Sequence, residues 1–539
     1  MEKYNQNASG GPVSKEASLQ NKDIQIGRGI QRYLNTTVLF GLILLLGITL
    51  RFYDLGAESY WIDEMFTVIE GHQSIFQLLA SGRLDQPPAF YLPFHLWVQL
   101  FGYTEIGTRS FSALAGIGSI VLIYMVGREL FGKEVGLLGA FFMAITEFQI
   151  HFSQLARFYS FFEFMTLLSF LFFIRAFRSK KVIYFLLYGL ASIIMVYSHT
   201  FGLFILVAQN LFFLTQEIKN RNAMVIWLIC QVLIALTLLP YLFSRLFGAG
   251  GIKGAVESNL AGSPAPTIFD PMHFMYSFIL PGRGERSWES LLVNFAIAGA
   301  FLVLGIWIYA VRQGMSEFLP SLKGWANSLQ EVSGIKGNIF LVSCWLLCPM
   351  VLPFIASLVI AAPMYEVHYT ISAAPAVYLL LALGLFSIRK MVPLIISLGA
   401  LIIVIVPGLV DYYRTDTNEQ WRQVAVYVEE NSELNDVIVF APNMGIGIQQ
   451  RSFDWYYRGP LQGCGLDSSV LVDSRATLEA LMRCVFGHQR FWVIIPNYPT
   501  VTSDERFKSF FLNLNQTTLH KIKEQQFVGL SVYLFELRK

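Results

Sequence analysis

Two adjacent carboxylates are the residues of this chain whose types and spacing most directly suggest chemistry. Asp63 and Glu64 follow Trp61 in an aromatic segment, and a third acid, Asp85, lies further along the same polar stretch. Carboxylates held near a membrane surface are costly to desolvate, and such a cluster can act as a general base or hold a cation. On spacing alone, capping of an interfacial helix is the simpler interpretation of the adjacent pair.

The candidate partners of these acids are cationic or ionisable side chains and one aromatic pair: Arg109, Arg157, His199 and His368-Tyr369. Arginine binds phosphate through bidentate contacts. Each candidate also has a structural interpretation, because arginines anchor helix ends at the interface or extend towards it, and a histidine often simply packs. Glu163 lies deeper in the apolar run after Arg157 and could pair with it or with another cation.

The elements that must position these residues are membrane spans. Of the 539 residues, 54% are hydrophobic and 14% charged, and the mean hydropathy is +0.51, whereas soluble chains carry roughly 25% charge. This composition excludes a water-soluble enzyme. The net charge of +2, without a long cluster of Lys and Arg, argues against a nucleic-acid partner.

A membrane span needs about 20 mostly apolar residues, and the sequence predicts eleven of them. Their centres are Leu42, Ile117, Leu138, Leu167, Ile193, Leu206, Leu233, Leu302, Leu352, Leu380 and Ile402. Lys and Arg in alternate short loops place those loops in the cytoplasm, together with a disordered N-terminal tail, residues 1–33. Two long polar segments, 52–108 and 245–289, then lie on the outer side, and so do all the candidate acids and cations.

Residues 411–539 are predicted to form a soluble α/β domain on the same outer side. Helix-like stretches at 420–431, 475–486 and 504–514 alternate with strand-like runs at 437–440, 470–472, 491–495 and 528–535. This region has neither GxGxxG nor a P-loop, so we expect no nucleotide site there. Cys464 and Cys484 would form a disulfide only in an oxidising compartment and with suitable geometry, and the sequence leaves this pairing open.

Four ordered motifs resemble those of the GT-C superfamily, specifically the family 39-like glycosyltransferases of the protein O-mannosyltransferase and aminoarabinose transferase type. They are Trp61-Ile62-Asp63-Glu64, Pro87-Pro88-x-x-Tyr91 followed by His95-Leu96-Trp97, Gln154-x-x-Arg157-x-Tyr159-Ser160, and His368-Tyr369 before Pro375. The resemblance covers residues 34–410, and the tail is similar to that of many bacterial members. It implies a mainly α, polytopic protein of the GT-C type with about eleven transmembrane helices, in a bacterial inner membrane.

The resemblance also implies an activity: transfer of a sugar from a polyprenyl-phosphate donor to an acceptor on the extracytoplasmic face, with inversion at the anomeric carbon. Asp63 would be the general base, Glu64 would orient the acceptor or Asp63, and Asp85 would be the second acid of the outer segment. A departing lipid phosphate is a stable anion, so cationic stabilisation matters more than a general acid. The candidate donor phosphate-binding residues are Arg109, Arg157, His199, Tyr369 and Gln86. Lys253, Arg283 and Arg286 in the second outer segment could close over the donor.

Two departures from the family pattern bear on metal binding. Gln86 stands where many relatives carry His or Lys, and Leu155 where many carry Glu. The second departure removes an acid from the outer cavity, although Asp63, Glu64 and Asp85 could still offer oxygen ligands to a divalent cation. We therefore expect metal-independent chemistry without a cofactor.

Three other interpretations remain open at this stage. A multi-pass lipid or polysaccharide transporter or flippase would also carry charges in its spans, although such proteins tend to show internal repeats that this chain lacks. A scaffold without catalysis would not need Asp63, and an oligosaccharyltransferase would use a pyrophosphate carrier. The sugar and the acceptor, whether lipid, glycan or protein, are not specified by the sequence.

Overall fold

The computed structural model describes residues 35–73, 77, 88–215, 221–247, 266–280, 334–360, 365–388, 391–443, 447–466, 474–497, 509–511 and 519–538. Several predicted features lie outside these ranges: the tail 1–33, the span centred on Leu302, the strand at 470–472, most of the helix at 504–514, and the site candidates Asp85, Gln86, Lys253, Arg283 and Arg286.

Helices form most of the described chain up to residue 412. In order they are α1 (Asn35–Phe52), α2 (Ile62–Gly71), α3 (Pro88–Phe101), α4 (Glu105–Phe131), α5 (Lys133–Ile145), α6 (Glu147–Ser153), α7 (Tyr159–Ser179), α8 (Val182–Val196), α9 (Gly202–Leu214), α10 (Arg221–Phe247), α11 (Asp270–Ser277), α12 (Ile335–Ile360), α13 (Ala374–Phe386) and α14 (Met391–Tyr412). A 3₁₀ helix, Val367–Ala373, leads directly into α13.

Six helical segments of the described part, with the 3₁₀ helix and α13 counted as one, are long and apolar enough to cross a membrane, or seven if the bent pair α5–α6 is one span. Ten of the eleven predicted span centres lie in helices of the described part. Helices α8 and α9, and the apolar stretch Met224–Pro240 within α10, are shorter than a full span. The prediction of a mainly α, multi-pass membrane protein is confirmed. The count of eleven spans stays a prediction.

Close helix packing brings α4 against α5 and turns the chain towards the site. A Cβ atom on Gly127 would lie 2.8 Å from the Cα of Gly136, so the two backbones touch where only glycine fits. After α5, Thr146 has an extended backbone (φ −71°, ψ 134°), and α6 leaves at an angle of 63°. This bend sets the position of the loop between α6 and α7, which carries Arg157.

The end of the chain forms a five-stranded mixed sheet with helices on it. Its elements are α15 (Trp421–Asn431), β1 (Val437–Phe440), α16 (Ile448–Tyr456), β2 (Gly463–Gly465), α17 (Ser474–Cys484), β3 (Arg490–Pro496), β4 (Leu519–Phe527) and β5 (Leu530–Leu537). The strand order is β2-β1-β3-β5-β4. Strand β1 runs parallel to β2 and β3, whereas β5 is antiparallel to its neighbours β3 and β4.

Alternate residues of the central strands are buried on opposite faces of this sheet, as the period of two requires. Val493 packs with Leu481 of α17 on one face, and Trp492 packs with Val424 of α15 on the other. A disulfide joins Cys464 to Cys484, with 5.7 Å between the two Cα atoms. The boundaries drawn at residues 34 and 411 between tail, membrane module and outer domain stay predictions.

Candidate active site

Asp63 and Glu64 lie in the first turn of α2, but their side chains have opposite environments. Glu64 Oε2 accepts a hydrogen bond from the Trp61 N–H at 3.0 Å, which is the return bond of a capping box. This bond directs Glu64 into the protein, where it is 0% exposed. The Asp63 side chain is 35% exposed. Of the two adjacent acids, only Asp63 is accessible.

Glu64 and Arg109 form a buried ion pair that uses every donor of the guanidinium. Arg109 Nε and Nη2 donate to the two carboxylate oxygens of Glu64 at 2.9 and 2.8 Å. The remaining N–H groups donate to the backbone oxygens of Leu55, Glu58 and Ser59 at 2.9 to 3.1 Å. In this arrangement Arg109 therefore has no free N–H group with which to bind a phosphate, which was its predicted role. Arg109 instead connects α4 to Glu64 and to the segment before α2.

The loop between α6 and α7 is attached to this pair and carries Arg157. The Ala156 N–H donates to Glu64 Oε1 at 2.7 Å, and Ser112 Oγ donates to the backbone oxygen of Arg157 at 3.0 Å. Gln154 Nε2 contacts three backbone oxygens at and just after the end of α1. The loop is thus fixed to three helices, and the position of Arg157 depends on all of them.

Arg157 lies beside Asp63 with part of its hydrogen-bonding capacity unused. Its Nη1 donates to the Asp63 backbone oxygen at 2.9 Å and to Thr67 Oγ1 at 3.1 Å. Its Nη2 is 3.7 Å from Asp63 Oδ2, an ion pair too long to be a hydrogen bond. Arg157 Nε is buried and has no hydrogen-bond partner within the described part of the chain. A buried arginine donor without a partner is the feature expected of an anion-binding group.

Tyr369 and its neighbour His368 approach Arg157 through Tyr159. The guanidinium carbon of Arg157 lies 5.7 Å from the centre of the Tyr159 ring. The His368 ring is 5.1 Å from Tyr159 and 4.2 Å from Tyr369. The structure therefore brings the end of the chain's third motif and the whole of its fourth together, although they are separated by more than two hundred residues.

His199 lies beside the same cluster of rings, in contact with Phe158 and Tyr369. Its ring is 5.3 Å from Phe158 and 4.9 Å from Tyr369. Burial lowers the pKa of His199 to about 3, so the imidazole is neutral at ordinary pH. Its Nδ1 accepts the Phe201 N–H at 3.2 Å, and the neutral ring therefore carries its proton on Nε2. His199 has one N–H to donate.

Two further expectations concern acids. Glu163 is fully buried, and its Oε1 accepts from Gln149 Nε2 at 2.7 Å, so its hydrogen-bonding partner is Gln149 and not Arg157. Among the described residues, no group of three or more His, Cys, Asp or Glu side chains could hold a metal ion. Asp85, the third acid considered for a cation, lies outside those residues, and the expectation of metal-independent chemistry is untested.

Residues from the C-terminal part of the chain also contact the N-terminus of α2, and the sequence did not predict them. Glu419 Oε2 accepts the Ile62 N–H at 3.1 Å, and the Tyr456 hydroxyl accepts the Tyr60 N–H at 2.8 Å. These pairs are separated by more than 350 residues, and neither Glu419 nor Tyr456 belongs to a local motif. No signal in a single sequence would have paired them.

The comparison with protein families matches residues 85–243 to the model described as dolichyl-phosphate-mannose-protein mannosyltransferase. This range includes Arg109, Arg157 and His199 but covers less than a third of the chain. An uncharacterized protein of Aquifex aeolicus (strain VF5) is 30% identical over 187 residues, which are 32% of this chain and 37% of that protein. The match thus spans little more than a third of that relative's length.

Solved structures match over nearly the whole chain. ArnT from Cupriavidus metallidurans in the apo state has a TM-score of 0.55 at 11% identity, over 93% of this chain and 98% of ArnT. The same protein bound to undecaprenyl phosphate has a TM-score of 0.52 at 12% identity, over 92% and 97% of the two chains. The Archaeoglobus fulgidus oligosaccharyltransferase tethered to an acceptor peptide has a TM-score of 0.53 at 11% identity, over 86% of this chain and 69% of that one.

These likenesses define the class of the protein by its fold. The chain has the fold of the GT-C superfamily of membrane glycosyltransferases, and the resemblance seen in its four motifs is confirmed at that level. At 11–12% identity the structural comparisons carry the fold alone. Activity, substrate and residue roles rest on the chemistry of the site.

Proposed function

We propose that this protein transfers a sugar from a polyprenyl-phosphate donor to an acceptor hydroxyl on the extracytoplasmic side of the membrane, with inversion at the anomeric carbon. One observation supports this most directly: an accessible carboxylate, Asp63, lies 3.7 Å from an arginine, Arg157, whose Nε is buried and unpartnered. A general base and a cation with a donor in reserve are the two groups that such a transfer requires.

In the proposed reaction Asp63 removes the proton from the acceptor hydroxyl. The acceptor oxygen forms the new bond to the anomeric carbon, and the bond from that carbon to the phosphate oxygen breaks. The electron pair leaves with the phosphate, which gives the free polyprenyl phosphate. Attack and departure on opposite faces of the sugar produce the inversion. Glu64 is fully engaged with Arg109, and we assign both residues to positioning.

Arg157 is the main group that holds the departing phosphate, and the neutral His199 and the Tyr369 hydroxyl are secondary donors. His199 suits this role because its Nδ1 accepts a backbone N–H, which leaves Nε2–H to donate. Burial favours charge-assisted hydrogen bonds of this kind because they act in a region of low dielectric constant.

The ion pair between Asp63 and Arg157 must open for the reaction to occur. At 3.7 Å, the two side chains leave no room for a sugar ring between them. A phosphate bound at the Nε and Nη2 edge of Arg157 would take over its positive charge and release Asp63 as a base. Binding of the donor thus exchanges one anion for another at Arg157.

We further propose the organisation in which this site works. The cytoplasmic tail 1–33 precedes a membrane module, residues 34–410, and an extracytoplasmic α/β domain, residues 411–539, in a bacterial inner membrane. The Cys464–Cys484 disulfide supports an oxidising compartment for that domain. ArnT has been solved with undecaprenyl phosphate bound, and this supports a lipid monophosphate carrier for the present protein.

The test is carrier release by the purified full-length chain in lipid nanodiscs, supplied with a panel of polyprenyl-phosphate sugars and candidate acceptors. We expect Asp63→Asn to lower turnover by about 10²- to 10⁴-fold while a polyprenyl phosphate still binds. We expect Arg157→Gln to weaken carrier binding as well as turnover. Asp54→Asn is the matched control, because Asp54 is exposed on the same segment and its left-handed backbone (φ 61°) suits asparagine.

Two outcomes would contradict the proposal. Full turnover in Asp63→Asn would show that Asp63 is not the general base. Carrier binding without sugar release from any donor, in wild-type protein, would instead favour a transporter or flippase.

A further inference from the structure

The C-terminal part of the chain contacts α2 at the residue immediately before Asp63. Glu419 is 3% exposed, and its Oε2 accepts the Ile62 N–H at 3.1 Å. Ile62 is the first residue of α2, so its N–H has no acceptor within the helix. A carboxylate at a helix N-terminus is also favoured by the helix dipole. Glu419 therefore caps the helix that carries the proposed base, from a segment 356 positions away in sequence from Asp63.

A second set of contacts fixes the residues just before α2. The Tyr456 hydroxyl accepts the Tyr60 N–H and donates to Glu105 Oε1, both at 2.8 Å. Arg422 Nη2 forms an ion pair with the same Glu105 oxygen at 2.5 Å, and its Nη1 donates to the Ala57 backbone oxygen at 3.0 Å. Helices α15 and α16 are thus tied both to the chain entering α2 and to the start of α4.

Apolar packing completes this contact. Ile448 of α16 is buried in one cluster with Tyr60, Met65 and Val68, so the inner face of α2 packs against the C-terminal part rather than against the membrane helices alone. The hydrogen bonds set the position of the helix end, and the apolar cluster keeps water away from them.

The turn between β4 and β5 packs against Glu419 and holds the neighbouring Gln420. The Gln420 N–H donates to the Val528 backbone oxygen at 3.1 Å, and the Val528 N–H donates to Gln420 Oε1 at 3.0 Å. Gly529 follows with φ +69°, and a Cβ there would lie 2.7 Å from Glu419 Cγ. The turn therefore requires glycine for its backbone and for the space that Glu419 occupies.

We propose that the C-terminal part positions α2 for the reaction and that Glu419 is a positioning residue of the proposed active site. The proposal rests on the proposed function, because positioning matters only if Asp63 reacts. Helix α2 has ten residues, about 15 Å of helix, and Asp63 lies in its first turn, where helices fray. A displacement of about 1 Å at a reacting group can cost about a hundredfold in rate.

The experiment measures the helix and the reaction separately, in the full-length chain in nanodiscs. Hydrogen–deuterium exchange of peptides covering the start of α2 reports on its N-terminus, and kcat and KM for the polyprenyl-phosphate sugar report on the reaction. The variants are Glu419→Ala, which removes the acceptor, and Glu419→Gln, which keeps an acceptor oxygen without the charge. Glu430→Gln is the matched control, because Glu430 is exposed on α15, the helix that begins two residues after Glu419.

We expect Glu419→Ala to raise exchange at the start of α2 by tenfold or more and to lower kcat by about ten- to a hundredfold with little change in KM. Glu419→Gln should lie between Ala and wild type, and Glu430→Gln should match wild type. Gly529→Ala, which displaces Glu419 without changing it, should act like Glu419→Ala on both measurements.

Unchanged exchange at α2 in Glu419→Ala would overturn the inference, and so would raised exchange with an unchanged kcat in an active enzyme. A higher KM together with a lower kcat, at normal exchange, would also overturn the inference, since Glu419 would then act on the substrate. If the wild type releases no sugar from any donor while exchange rises as expected, the proposed function fails and the role of Glu419 in fixing α2 still holds.

Discussion

Replacing Glu64 with glutamine tests whether the buried ion pair positions the site or takes part in binding the donor. The carboxylate of Glu64 accepts four hydrogen bonds, from Trp61 N, Ala156 N and two nitrogens of Arg109. Glutamine has nearly the same size but presents one NH₂ group. In either orientation of the amide, that NH₂ faces two N–H donors, and Arg109 is left as a buried charge without its counterion.

The expected cost follows from these contacts. Removing one partner of a buried ion pair costs about 3 to 5 kcal/mol, because the remaining charge is uncompensated. The loss of stability should appear in chemical unfolding of the detergent-solubilised protein, followed by tryptophan fluorescence. Turnover should also fall, because the Glu64 contact to Ala156 N at 2.7 Å places the loop that carries Arg157.

A double-mutant cycle with Arg109→Met makes the test specific. Arg109→Met alone leaves Glu64 buried without a cation, and it also removes donors from three backbone oxygens. The double variant should be less unstable than the sum of the single variants by about 3 kcal/mol, since no buried charge then remains. It should not regain full stability, because the backbone oxygens of Leu55 and Glu58 still lack the donor that Arg109 supplied.

The same cycle can refute this reasoning. If Arg109 binds the donor phosphate, as predicted from the sequence, Arg109→Met should weaken the binding of a polyprenyl phosphate while stability hardly changes. Additive stability effects, together with a large loss of carrier affinity in Arg109→Met, would show that the pair is not the structural unit described here.

Two other predictions follow from single contacts. Folding lowers the pKa of His199 from 6.5 to about 3. Between these pH values the unfolded chain binds a proton that the folded chain does not, so the stability of the fold falls as the pH drops below 6.5. At pH 5 this loss is about 2 kcal/mol, and His199→Gln should remove it when thermal unfolding is compared at pH 5 and 7.5. An unchanged pH dependence in the variant would contradict the burial of a neutral ring. Replacing both Cys464 and Cys484 with serine opens a loop with a sequence separation of 20 and should destabilise the C-terminal part by about 3 kcal/mol. Limited proteolysis of the variant and of the oxidised wild type measures this loss, and equal protease resistance would contradict the prediction.

Local composition was sufficient to predict the membrane helices and part of the C-terminal sheet. Spans depend on the length and apolarity of one segment, so the centres at Leu42, Ile117 and Leu167 fall in long apolar helices. Strand β4 (Leu519–Phe527) was missed because it lies at the sheet edge with mostly exposed polar residues and does not alternate. Helix α16 (Ile448–Tyr456) was missed because its few buried residues give a weak pattern.

The site could be predicted residue by residue but not pair by pair. Motifs singled out Asp63, Glu64 and Arg157, and Arg109 was a separate candidate cation, but the sequence did not state which acid meets which arginine. Those pairings span 45 and 94 positions and depend on how α2, α4 and the loop before α7 pack. The contact of Glu419 with Ile62 spans 357 positions and has no local signature. Tertiary packing alone determines these choices.

The adjacency of Asp63 and Glu64 gains a physical reason once the pairs are known. Successive residues of a helix point about 100° apart, so one side chain can enter the protein while its neighbour remains accessible. Glu64 is held by a bidentate, buried arginine, and opening that pair would leave two buried charges without counterions. Asp63 meets its arginine at 3.7 Å and remains 35% exposed, so an incoming anion could replace it at Arg157 without leaving the buried guanidinium uncompensated. In the proposed reaction only the second pair changes partners, and the first keeps the helix and the loop in place while it does so.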